Sequence, residues 1–137
     1  MSFTTQFTPD GLGVIQVGEG VVTGAEMIAH TMEISRTAER MKAIRYGFVD
    51  LARTTRLDVT PAQVRAIAEE GAKVAALVSS GVTVAVAASS DHVYGVARMW
   101  EFHSDGNGLE TWVFRDRAAA LAWLRERCPG AVPDEPP

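Results

Sequence analysis

The stretch Val82-Thr83-Val84-Ala85-Val86-Ala87-Ala88, running on into Ser89-Ser90-Asp91-His92-Val93-Tyr94-Gly95-Val96-Ala97-Arg98-Met99-Trp100, decides the fold. Seven small or β-branched residues with one hydroxyl among them read as a strand buried on both faces, as in a parallel sheet. The polar residues behind it suit a helix N-terminus, and a helix follows over roughly Asp91 to His103. A strand that passes through a short polar turn into a helix is the unit of open α/β sheets, whose binding crevices form at this end of the strands.

Toward the C-terminus, Asp105-Gly106-Asn107-Gly108 marks a turn and Thr111-Trp112-Val113-Phe114 a short strand. Asp116 then caps a helix with Ala120, Leu121, Leu124 and Cys128 on one face, stopped by Pro129 and Gly130. The remainder, Ala131-Val132-Pro133-Asp134-Glu135-Pro136-Pro137, reads as an unstructured tail.

Toward the N-terminus the same alternation of periods recurs. Thr60-Pro61-Ala62-Gln63 is a capping box with proline at the first helical position, and it opens a helix that turns Val64, Ile67, Ala68, Gly71, Val74 and Val78 one way. Gly71 in mid-helix points to a close approach of that helix to the sheet. Before it, Ile44 to Leu51 reads as a buried strand, with Ala52 to Val59 as a polar loop. Thr23-Gly24-Ala25-Glu26 is a second capping box, and Met27, Thr31, Ile34, Ala38 and Met41 follow as a helical stripe with a break near Ser35 to Ala38. Phe3 to Phe7 and Val14 to Val17 flank Thr8-Pro9-Asp10-Gly11 and read as an antiparallel hairpin.

The class is therefore α/β: a mixed five-stranded sheet with an N-terminal antiparallel hairpin and about four helices, the later strands parallel through right-handed crossovers. With 137 residues the chain is one domain, residues 1–128, followed by the tail 129–137. A net charge of -4, with basic residues scattered among acids, excludes a nucleic-acid surface. The single cysteine points to a reducing, cytoplasmic setting. No apolar run approaches the ~20 residues of a membrane span.

Phe48-Val49-Asp50-Leu51, the capped helix, the alanine-valine strand, Tyr94-Gly95-Val96-Ala97-Arg98-Met99, Val113-Phe114-Arg115-Asp116 and Ala120-Leu121-Ala122-Trp123-Leu124 together resemble the SpoIIAA-like family over most of Gly13 to Arg127. That bacterial family is related to the STAS domains of anti-sigma-factor antagonists, and its fold is compared with the CRAL-TRIO lipid-transfer proteins. The resemblance implies a SpoIIAA/STAS-like fold and a non-enzymatic regulatory or protein-interaction role. One departure stands out. Anti-sigma antagonists carry an Asp-Ser-Ser-Gly phosphorylation motif where this chain reads Leu57-Asp58-Val59-Thr60-Pro61, and Thr60, the nearest hydroxyl, is accounted for as a helix cap.

The candidate binding crevice lies where two neighbouring strands end. Thr54, Thr55, Asp58 and Thr60 follow one strand and Ser89, Ser90 and His92 the other, with Tyr94 and Arg98 on the helix beyond. The competing account gives Ser90 or Asp91 to an N-cap and the threonines to loop backbone. Ser90, His92 and Asp58 have the residue types of a hydrolytic triad, but no strained Gly-x-Ser-x-Gly elbow carries the serine, so no catalytic residues are assigned. His92 and His103 stand about 16 Å apart along a helix and cannot share a metal. No metal and no cofactor are expected. Partners reduce to an unknown protein, a small ligand, or a second copy in a homodimer. The alternative function is a binding protein for a small apolar or amphipathic ligand, for which the methionines Met27, Met32 and Met41 of the first helix are suited.

Overall fold

The structure, a computed structural model, describes residues 2–78 and 81–134. Its elements run β1 (Phe3–Phe7), β2 (Gly13–Thr23), α1 (Gly24–Ser35), α2 (Ala38–Met41), β3 (Tyr46–Asp58), α3 (Pro61–Leu77), β4 (Val82–Ala87), α4 (Asp91–His103), β5 (Leu109–Phe114) and α5 (Arg117–Arg127). One sheet orders the strands β1-β2-β3-β4-β5, the first pair antiparallel and the rest parallel.

The local signals act where the residues place them. Gly11, at φ 74°, closes the hairpin turn, and the Gly11 N–H donates to the Thr8 carbonyl at 2.9 Å. Thr23 and Thr60 form reciprocal capping boxes with Glu26 and Gln63. The Ser2 hydroxyl also donates to Glu26, and with the Thr23 N–H it holds that carboxyl below the usual carboxylate range. Ser90 and Asp116 cap α4 and α5. The methionine-bearing run divides into α1 and α2 around Arg36-Thr37, which makes five helices among the described residues where about four were expected.

Two layers of side chains cover the sheet. On one face α5 packs Ala120, Leu121, Leu124 and Cys128 against Ile15, Tyr46, Phe48, Ala85 and Ala87. On the other, α1, α3 and α4 cover alternate residues of the same strands, with Leu51, Val86 and Val113 beneath Val93 and Ala97, and Val14 and Val82 beneath Ile34 and Val74. Gly71 meets the sheet as its position in α3 implies: a Cβ there would lie 3.1 Å from Leu109 Cδ1. Beyond α5, Ala131 is buried in the same cluster, and Arg125 donates to the carbonyls of Pro133 and Asp134 at 3.0 and 2.6 Å. Residues 135–137, the end of the expected tail, lie outside the described residues.

The loop expected over Ala52 to Val59 is instead the second half of β3. Strand β2 continues to Thr23, and its parallel pairing with β3 reaches Thr23 opposite Asp58, giving these polar residues ladder partners. Register shifts between Val17 and Glu19 and between Gly20 and Val21 break the ladder. Buried residues consequently fall at Leu51, Thr54 and Leu57, a spacing of three that hides a strand from period-two reading. At the far side of the sheet, Glu101 of α4 lies across the free margin of β5, where its Oε2 accepts from the Val113 N–H at 2.9 Å and its Oε1 lies 3.2 Å from Arg98 Nε.

Candidate functional site

Strand β4 stops at Ala87, which is paired with Asp50, while β3 runs on with β2 alone for a further eight residues. Helix α4 starts beside this two-stranded projection. His92 Nε2 sits 3.1 Å from the Leu57 carbonyl, so the ring donates to the strand and ties the helix start to it. The two chain segments thus lie at the same end of the sheet.

Their side chains serve different ends. Thr54 is 4% exposed and its Oγ1 has no hydrogen-bond partner among the described residues, lodged beneath Gly18, where a Cβ would come within 2.7 Å of it. Thr55 and Asp58 face solvent from the projecting strand. Thr60 Oγ1 accepts from the Gln63 N–H at 3.2 Å, and Ser90 Oγ from the Val93 N–H at 3.3 Å, so both hydroxyls complete helix starts. Ser89 is exposed. The Tyr94 ring carries the Arg115 guanidinium 4.1 Å above its centroid, while Arg115 also reaches Asp91 at 2.6 Å. Arg98 pairs with Glu101.

Because an unpaired buried hydroxyl loses its hydration without return, Thr54→Val should raise stability by about 1 kcal/mol. Thermal melting should show this as a gain of roughly 3–5 °C. An unchanged or lowered midpoint would mean that Thr54 has a partner in solution.

The helix-rich face also holds an apolar pocket. A cavity of about 120 Å³ lies between the sheet and helices α1, α3 and α4, with Met27, Ile34, Val64, Val74, Ala97 and Trp100 among its walls. None of the nine residues of the expected crevice lines it, and of the three methionines singled out from the sequence, Met27 and Met41 do while Met32 does not. The sequence offers one trace of it, the glycine at position 71, which also lines the cavity.

The solvent side of α4 carries a second feature that the residue pattern did not disclose. Phe102 is 73% exposed and Met99 39%, and Gly95, one turn earlier, has nothing among the described residues within 4 Å of where its Cβ would be. These positions stand at i, i+4 and i+7 and form one stripe.

Among the described residues, no helix is long and apolar enough to cross a membrane. No family model and no curated protein matches the chain. Among solved structures, the anti-sigma factor antagonist SpoIIAA in its unphosphorylated form is similar with a TM-score of 0.59 at 15% identity, over 90% of this chain and 96% of that one. An uncharacterised protein of the DUF3478 family with a SpoIIAA-like fold, from Shewanella loihica PV-4, is similar with a TM-score of 0.54 at 16% identity, over 89% of this chain and 91% of that one. A mixed sheet with one antiparallel edge hairpin, three longer helices on one face and α5 on the other, matched along nearly the whole length of both structures, is the SpoIIAA-like fold.

Proposed function

We propose that this chain is a non-enzymatic regulatory module that works by docking a protein partner on the outer face of α4. The observation that carries this reading is the exposure of Phe102 and Met99 along one stripe of that helix, with bare backbone at Gly95. Single exposed apolar residues are ordinary, but an aromatic and a methionine aligned with an open glycine form a surface on which another chain would bury area. Charged groups flank the stripe, Arg98 with Glu101 and Arg115 with Asp91, in the arrangement of a polar rim around an apolar centre. The likeness to SpoIIAA, described as an antagonist of an anti-sigma factor, supports a role exercised on another protein.

In affinity capture with cross-linking from the source cells, the wild-type chain should recover a defined protein. Phe102→Ser should reduce that recovery at least tenfold, consistent with the ~2 kcal/mol or more of a central apolar anchor. Its melting temperature should stay within about 2 °C of wild type, as for surface substitutions in general. Equal recovery by wild type and Phe102→Ser, or turnover of a small molecule by the purified chain, would overturn the reading.

A further inference from the structure

We infer that the cavity beneath α1, α3 and α4 is a binding site for one small neutral hydrocarbon group, of the size of benzene or a short branched alkyl chain. Its volume of about 120 Å³ approaches the ~150 Å³ at which an engineered apolar cavity takes up benzene or xenon. Close-packed interiors leave few voids larger than a water molecule, so a space of this size in the main core is a departure from ordinary packing.

The lining sets the chemistry of the occupant. Aliphatic and methionine side chains from three helices meet valines of the central strands, and Trp100 adds an aromatic wall. The two polar side chains apart from Tyr46 are already engaged: Thr31 Oγ1 donates to the Met27 carbonyl at 2.8 Å, and Gln16 Nε2 donates to Thr5 Oγ1 at 3.2 Å. The Tyr46 hydroxyl is packed on Gly13. A charged or strongly hydrogen-bonding ligand would lose its hydration here without finding partners, and a water molecule needs two to four of them. An apolar group loses nothing of the kind and gains contacts with the aliphatic and aromatic walls. Met27 and Met41, with unbranched side chains, let the walls adjust to its shape.

Methyl-labelled wild-type protein titrated with benzene, and separately with xenon, tests the assignment by NMR. Saturable shifts are expected at the methyl groups of Met27, Met41, Val64, Ile67 and Val74, while those of Leu121, Leu124 and Met99 stay in place. Ala97→Leu, which fills the space, should weaken benzene binding at least tenfold in a folded protein, and Val74→Ile is the smaller filling change should Ala97→Leu not fold. The assignment is overturned if the wild type shows no saturable shift, if the shifts spread evenly to the α5 side, or if a folded filled variant binds as the wild type does. Gly95, Met99 and Phe102 do not line the cavity, so failure here leaves the docking face of α4 standing, and loss of that face leaves this site standing.

Discussion

Alanine at Gly13 is expected to lower stability by about 3 kcal/mol, at the upper end of the range for overpacking, and the melting temperature by roughly 10 °C. Gly13 opens β2 directly opposite Tyr46 in the parallel ladder, and the Tyr46 ring lies back across it. A Cβ at this position would overlap Tyr46 Cζ and sit 2.7 Å from Cε2, atoms of a planar ring that cannot bend away. The ring is fully buried among Ile15, Phe48 and the α5 side chains, so it has no alternative rotamer to occupy without displacing the core. The same burial, with the negative charge of Asp10 adding to it, raises the Tyr46 phenol above its usual range. A double-mutant cycle with Tyr46→Leu checks the cause: the cost of Gly13→Ala should fall by more than half once the ring is replaced by the smaller aliphatic side chain. Strict additivity of the two changes would rule out the ring as the origin of the effect.

Leu57→Ala should cost about 3–4 kcal/mol, in the range measured for deleting a buried leucine where the surroundings do not collapse. Leu57 lies near the end of β3, 4% exposed, packed with Val22, Leu51 and Val93 and lining the apolar cavity. Truncation there enlarges a space that is already underfilled, so relaxation has little to recover. Urea unfolding would measure the loss as a lower midpoint with an unchanged slope. A loss under about 1 kcal/mol would mean that the segment moves as a loop, since surface substitutions usually fall within about ±0.5 kcal/mol.

These two positions show where the residue pattern informs and where it stops. Ser90 as cap and the apolar-to-polar switch after Ala88 are local facts, and they place α4 at Asp91–His103 as read from the chain. The hairpin around Gly11, both threonine capping boxes and the break after Ser35 are local in the same sense. The second half of β3 is not. Its partner is a strand more than thirty residues earlier, and the two register shifts in that ladder remove the alternation by which an isolated segment announces itself. That the segments after Leu51 and after Ala88 lie at one end of the sheet was legible, and His92 meets the Leu57 carbonyl there, whereas Tyr94 and Arg98 turn to Arg115 and Glu101 on the β5 side. Which way each side chain points depends on that altered register: Thr54 turns inward, Thr55 faces outward. The cavity and the stripe on α4 belong to a further level, since burial of Ala97 and exposure of Phe102 on one helix depend on how far α4 is rotated over the sheet. Helical spacing alone puts Val96, Met99, Trp100 and His103 toward one side, yet Met99 is exposed while Val96 and Trp100 are half-buried.

The carboxylate that Glu101 lays on the Val113 amide bears on how the molecule behaves in a crowd of its own kind. The outermost strand of a sheet is a template on which another extended chain grows, and the usual protections are charge, distortion or a cover. Here the cover comes from the neighbouring helix, and it is anionic. An incoming strand that sought the Val113 amide would have to expel an oxygen whose partner charge, Arg98, sits on the same helix turn. Fibrillar growth from this margin is thereby opposed at the Val113 amide by the protein's own architecture.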